Sequence, residues 1–346
     1  MSKVKVGIIN VTGYAGIELA RLLSNHPEVE LTSITGRSLA GKMLGSAFPH
    51  LTDIELDISE KLGEVDFAFS AMPHQESARE VIPLIERGIR VVDISADFRL
   101  KDASDYLNWY GANHPRPELL ASATYGLPEL HRNEIAQATL VANPGCYPTG
   151  AILALAPAFK EGIIAPEITI DSKSGISGAG RSLSLKTHFP EANEDIAAYA
   201  IGGHRHLPEI VQELGQLRRG LSPRVSFVPH LIPVTRGILT TAYAPLAKEG
   251  FVEHSQGAQK LLDIYRDFYR DEPFIRVIDS PPHTKYSLGN NLCYIYPTLD
   301  RRTGRLIAVS AIDNLIKGAA GQAVHNMNLM LGIEETTALG ATAIYP

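Results

Sequence analysis

Apolar residues recur in two rhythms along the first 150 positions. Val4–Ile9 is a short apolar run of strand type, and Tyr14–Leu23 then repeats apolar residues at helical spacing through Ile17, Leu19, Ala20 and Leu23. Val29–Thr35 reads as a second strand and 66–71 as a third, with a helix over about 76–87. Residues 90–95 make a fourth strand. Residues 139–142 are a further apolar run, stopped by Pro144-Gly145, and a small apolar helix over 151–156 follows. Strands alternating with helices of this length predict a parallel, doubly wound sheet. Ligands of such sheets lie beyond the carboxyl ends of the strands, and Thr12, Arg37, Pro73, Arg99 and Cys146 all follow predicted strands.

After Cys146 the pattern changes. Residues 167–172, 225–228, Ile238–Pro245, 291–298 and 306–312 read as strands in succession, many of them alternating, with a helix over 256–269. This predicts a mostly antiparallel second domain with helices on one face. A last helix, about 318–331, is placed to return to the first domain. The expected division is 1–145 plus 318–346 for one domain and 146–317 for the other, which suits a chain of 346 residues.

Composition narrows the classes. A hydrophobic content of 45% is that of a globular enzyme, and a net charge of −6 without a basic block argues against nucleic acid and anionic membrane as partners. No run is long enough to span a bilayer and no signal-peptide segment opens the chain, so the expectation is a cytoplasmic protein. The two cysteines, Cys146 and Cys293, form neither a disulfide nor a metal-ligand pattern. Cys293 lies within a predicted strand and reads as packing.

Candidate chemistry concentrates at Cys146. A thiol placed where a turn opens a helix faces unpaired backbone N–H groups and the positive end of the helix dipole, which favours thiolate. Pro148 suits the first helical turn, where its missing N–H costs nothing. The alternative is a buried cysteine serving as a small hydrophobe. The flanking Pro144-Gly145 and Pro148-Thr149-Gly150 favour a shaped loop and a reactive thiol.

Between the first strand and helix lies Asn10-Val11-Thr12-Gly13-Tyr14-Ala15-Gly16. A glycine turn there lets backbone N–H groups approach a pyrophosphate. Gly13 and Gly16 fit the last two glycines of the dinucleotide fingerprint; the earlier glycine is absent, and Asn10, a residue tolerant of unusual backbone angles, stands nearby. Gly36-Arg37-Ser38 ends the second strand without an acidic residue, which favours NADP over NAD, against a plain surface arginine. Arg99 suits an anionic substrate group or a pairing with Asp97 or Asp102. The run 173–181 is rich in glycine and serine and offers donors to an anion, or serves as a flexible linker. In Gly203-His204-Arg205-His206-Leu207-Pro208-Glu209-Ile210 two histidines lack a third metal ligand, so zinc is not expected; either histidine suits proton transfer beside a thiol, or a place on the surface.

The segments 12–16, 95–100, 143–150, 173–181, 203–210, 233–237 and 313–318 together resemble the N-acetyl-gamma-glutamyl-phosphate reductases of arginine biosynthesis, over nearly the whole chain. Asn10 departs from the glycine usual in that family. The resemblance implies a Rossmann-like NADP-binding domain and an α+β substrate and dimerisation domain of the glyceraldehyde-3-phosphate dehydrogenase C-terminal type. It implies NADPH-dependent reduction of N-acetylglutamyl phosphate to the semialdehyde and phosphate through a cysteine thioester, in a homo-oligomer, dimer or tetramer. Carried over by motif, Cys146 is the nucleophile, His204 the acid/base and Glu209 the residue that orients the histidine pair, with His206 in reserve and on the substrate side. Thr12, Gly13, Tyr14, Ala15, Gly16, Arg37, Ser38, Pro73, Gly178 and Asn314 would hold NADP(H). Arg99, Asn143, Ser174 and Arg181 would hold the acyl phosphate. The competing readings are the related lysine-pathway aminoadipyl-phosphate reductase, an aspartate semialdehyde enzyme, and an NADP-binding redox sensor in which Cys146 is a switch.

Overall fold

The computed structural model describes residues 3–247 and 257–345, and they form two compact units. The first comprises residues 3–144 and 319–341, the second 145–318 and 342–345.

The first unit holds β1 (Val4–Ile9), α1 (Tyr14–Leu23), β2 (Val29–Thr35), β3 (Ile58–Ser59), β4 (Phe67–Ser70), α2 (Ser77–Glu86) and β5 (Arg90–Asp93). There follow α3 (Ala103–Tyr110), β6 (Thr124–Tyr125), α4 (Pro128–Gln137) and β7 (Leu140–Ala142). The sheet order is β3-β2-β1-β4-β5-β7-β6 and every pairing is parallel, as the alternation of strands and helices predicts. Strand order reverses between β1 and β4, which opens a crevice above their carboxyl ends. The central strands are apolar on both faces: Val6, Ile8, Phe67, Phe69, Val91 and Val92 are all fully buried. β3 and β6 are two residues each, too short to show a period in sequence.

The second unit opens with α5 (Cys146–Lys160) and continues through β8 (Glu167–Gly175), β9 (Ala197–Ala198), α6 (Leu207–Leu217), β10 (Arg224–Ile232) and β11 (Ile238–Pro245). Then come α7 (Gly257–Phe268), β12 (Ile275–Val277), β13 (Cys293–Asp300) and β14 (Arg305–Ile312). The helix expected over 256–269 is α7; residue 256 lies outside the described residues. The sheet order is β12-β13-β14-β11-β8-β10-β9. Four pairings are antiparallel, and β10–β8 and β12–β13 are parallel, so the sheet is mixed.

α5 is apolar all round, and every residue from Tyr147 to Phe159 is buried. It packs against β11, β13 and β14, between α6 and α7. Pro157 breaks its ladder, because a proline has no N–H for the Leu153 carbonyl. The neighbouring chain repairs this: the Tyr269 hydroxyl donates to Leu153 O at 2.7 Å and Tyr265 donates to Ala154 O at 2.8 Å. After β14 the chain re-enters the first unit, where α8 (Gly321–Leu331) packs on α1, α4 and β5.

Candidate active site

In the first unit, α1 begins at Tyr14 with Gly13 as its extended N-cap and no side-chain cap. Its first ladder bond is Ile17 N–H to Gly13 O at 2.9 Å, so the N–H groups of Tyr14, Ala15 and Gly16 face outward from the helix start. The two glycines have different reasons. A Cβ on Gly16 would lie 2.5 Å from Asn10 O, so helix and strand close tightly there, whereas a Cβ on Gly13 would meet nothing nearer than 3.8 Å. Gly13 therefore borders open space rather than packed protein.

Asn10 adopts φ 65°, the left-handed conformation the missing glycine would have supplied. Its side chain holds it there: Nδ2 donates to Ala71 O at 2.9 Å, and Oδ1 accepts from the Thr12 hydroxyl at 3.1 Å. The loop keeps its shape without that glycine.

A groove of about 280 Å³ opens at the switch point, lined among others by Thr12, Arg37, Ser38, Pro73 and Glu76. Thr12, Arg37, Ser38 and Pro73 of the sequence-derived cofactor set therefore share one cavity. Gly36 brings Arg37 into it by close packing, since a Cβ there would lie 2.7 Å from Thr12 Cγ2.

Arg99 is buried, and Nε and Nη2 donate to the carbonyls of Asn143 (2.8 Å) and Ile94 (2.7 Å). Asp97, one of the two acids considered as its partner, accepts from the backbone N–H of Gln75 and Ala78 and from the Tyr106 hydroxyl. Asp102, the other, caps α3 through Ser104 N–H. Asp97 also secures Gln75, whose φ of 69° is strained for a side-chain-bearing residue. Asp93 at the end of β5 is fully buried and accepts from Ser77 and Ser95; burial and then the charge of Asp97 push its carboxyl up to about 6. Tyr106 and Tyr110 stack with ring centroids 4.9 Å apart, so the aromatic run there packs the loop. Asn143 donates to Ala319 O and accepts from Asn326.

In the second unit, Cys146 is the first residue of α5, with extended Gly145 as N-cap. It is partly exposed, while Cys293 is buried in β13. Glu209, fully buried in the first turn of α6, accepts the Gly145 N–H at 3.0 Å. That bond fixes the residue ahead of the thiol. Gly318 closes the other side: a Cβ there would lie 2.7 Å from the Cys146 Cβ.

His204 stands in an aromatic box made by Tyr147, Tyr199, Phe227 and the His206 ring, with centroids 4.7–5.5 Å away. Its Nδ1 accepts the His206 backbone N–H at 3.1 Å, which leaves Nε2 to carry the ring hydrogen. Burial, and then the charge of Arg205, pushes the imidazole down to about 4, so it is neutral at physiological pH. Tyr199 donates to Tyr147 and Tyr147 donates to His230 O, each at 3.1 Å. Burial, the hydroxyl partnership and the charge of Cys146 hold the Tyr147 phenol well above its ordinary range. Sequence reasoning missed this box. Tyr147 adjoins the cysteine and could have been singled out, but nothing in the local sequence marks Tyr199 or Phe227.

Ser174, Gly178 and Asn314 also meet in the second unit. A Cβ on Gly178 would lie 2.7 Å from Ser174 Oγ, and Asn314 donates to the Ser177 hydroxyl while accepting Gly237 N–H. Arg181 lies on the exposed run that follows. Among the described residues no group of three or more His, Cys, Asp or Glu side chains is arranged to hold a metal, and no helix is long and apolar enough to cross a membrane.

The chain is similar to known proteins. Residues 5–138 match the NAD-binding domain of semialdehyde dehydrogenases, and residues 146–314 match their dimerisation domain. An N-acetyl-gamma-glutamyl-phosphate reductase of Dehalococcoides mccartyi is 59% identical over 100% of both chains. One of Pelotomaculum thermopropionicum is 50% identical over 99% of each. Two solved structures share the fold at 17% identity. They are a probable aspartate-semialdehyde dehydrogenase of Pseudomonas aeruginosa (TM-score 0.70) and the Candida albicans aspartate semialdehyde dehydrogenase with NADP (TM-score 0.68). Each covers 95% of this chain and 99% of its own. Identity this high over the full length, on a cysteine-led helix beside a boxed imidazole, makes the chain a member of the N-acetyl-gamma-glutamyl-phosphate reductase family.

Proposed function

We propose that this chain reduces N-acetyl-L-glutamyl 5-phosphate, with NADPH, to N-acetyl-L-glutamate 5-semialdehyde and phosphate in arginine biosynthesis. The observation that carries the reading is Cys146 at the start of α5, with a buried carboxylate on its N-cap and a neutral histidine packed on the next residue, Tyr147. Cys146 Sγ, as the thiolate, attacks the acyl carbon; the carbon–oxygen bond to phosphate breaks, phosphate leaves with the bonding pair and takes up one proton, and a thioester remains. NADPH, when bound, supplies the hydride that brings the acyl carbon to the aldehyde level. The oxyanion then re-expels the thiolate, a step that needs no proton; the Nε2–H of the neutral imidazole and the N–H groups at the start of α5 donate to that oxyanion, and His204 is the acid/base that serves the departing phosphate. Glu209 positions the nucleophile by holding Gly145, with His206 beside it.

Thr12, Gly13, Tyr14, Ala15, Gly16, Arg37, Ser38 and Pro73 hold the nucleotide in this reading, joined by Gly178 and Asn314. The outward N–H groups of α1 and the open space at Gly13 fit a pyrophosphate. Ser174 and Arg181 take the acyl phosphate, with Arg99 and Asn143 assigned to the same substrate by resemblance. Residues 1–145 with 318–346 make the nucleotide domain and 146–317 the catalytic and oligomerisation domain of a cytoplasmic homo-oligomer, a dimer or tetramer.

The test runs the reaction backwards, because the acyl phosphate is unstable. Phosphate-dependent reduction of NADP⁺ by N-acetylglutamate semialdehyde is expected, and Cys146→Ser should abolish it while still binding NADP⁺. Turnover with the aminoadipate analogue alone would move the substrate to the lysine pathway. Undiminished turnover in Cys146→Ser would overturn the mechanism.

A further inference from the structure

The groove at the β1/β4 switch point carries an unexpected balance of charge. Arg37 is its single cationic lining residue, against three carboxylates, Glu60, Glu76 and Glu80. Arg37 Nη1 is bonded to Glu76 Oε2 at 2.7 Å, and Nη2 lies 3.8 Å from Glu80 Oε1. Glu76 precedes α2 by one residue and Glu80 stands four further on, so both point from the same side toward the end of β2. An arginine after β2 is the readout of a 2′-phosphate, and a carboxylate at that place is the readout of a free ribose hydroxyl. Here both readouts occupy one spot, paired with each other.

We propose that Glu76 determines nucleotide specificity by competing with the 2′-phosphate of NADP for Arg37; this rests on the cofactor reading above. With the pair intact, Glu76 sets a carboxylate beside Arg37 that can accept from a ribose hydroxyl, and the groove admits NAD. With the pair exchanged, Arg37 turns to the phosphate and the displaced Glu76 and Glu80 repel it. All three side chains are well exposed (Arg37 71%, Glu76 44%, Glu80 49%), so the pair is weak and exchangeable, and its influence is screened by salt. The discrimination between NADPH and NADH is therefore held below what Arg37 alone would give.

The experiment measures dissociation constants of NADP⁺ and NAD⁺ for the intact protein, Glu76→Gln, Glu80→Gln and Arg37→Gln, by calorimetry at low and high salt. Glu76→Gln should tighten NADP⁺ by up to about fivefold and leave NAD⁺ unchanged or weaker. Glu80→Gln should do the same to a smaller degree, and added salt should shrink both effects. Arg37→Gln should remove the preference for NADP⁺ and keep NAD⁺. Equal changes for both nucleotides, or none, in Glu76→Gln would overturn the proposal while leaving the cofactor reading intact. Failure of the unaltered protein to bind either nucleotide would overturn the cofactor reading and this proposal with it.

Discussion

His204 is a base that the protein keeps from being charged. Its low proton affinity comes from burial within rings and from the neighbouring Arg205, so the linkage to stability has a fixed sign. The unfolded chain takes up a proton near the ordinary value of 6.5 and the folded chain only near 4, so stability is full above pH 6.5 and falls as pH drops toward 4. Asp93 acts in the opposite sense: its raised carboxyl favours the fold at low pH, and that contribution is lost as pH rises through about 6. Thermal melts of the intact protein and His204→Asn at pH 7.5 and 4.5 separate the two. The variant should lose less stability on acidification, by at most about 3 kcal/mol. Equal losses would refute the neutral imidazole. The turn that opens α5 at Cys146 was legible in sequence from the prolines and glycines around it, whereas His204 was singled out only by resemblance. The box was not, because Tyr199 and Phe227 reach His204 only through folding. Asn10 was legible as an exception, and its left-handed backbone explains how the exception is tolerated.

α5 carries the thiol at one end and a defect at the other. The apolar run 151–156 was legible as a helix, but the repair of Pro157 by Tyr269 involves residues more than a hundred positions apart and no local pattern reveals it. Tyr269→Phe leaves the Leu153 carbonyl buried without that partner and should cost about 1–2 kcal/mol in urea unfolding, with nucleotide binding unchanged. No loss of stability would show that Leu153 is otherwise satisfied. At the opposite end, Gly318 permits the start of α5 to lie where it does. Gly318→Ala forces Cys146 to shift and should lower kcat by about 10²-fold, with the NADP⁺ dissociation constant little altered. A variant with full kcat would mean that the cysteine position is not critical. The short strands β3, β6 and β9 escaped the sequence reading because two residues carry no period, and the parallel β10–β8 pairing escaped it because alternation does not report strand direction.

Taken whole, the chain passes from the first unit to the second after Pro144, back after Gly318, and to the second again after Ala341. Cys146 lies two positions beyond the first crossing. Within the first unit the cut ends are held together, since Asn143 Nδ2 donates to the Ala319 carbonyl at 3.1 Å. Residues 1–144 joined to 319–341 by a short glycine-serine linker should therefore fold cooperatively and bind NADP⁺ in calorimetry; an unfolded product would show that the first unit depends on the second. The Asn143–Ala319 bond thus works as a clasp: it fastens the first unit at the point where residues 145–318 leave it and return, so that one unit is a single closed piece although its chain is not continuous.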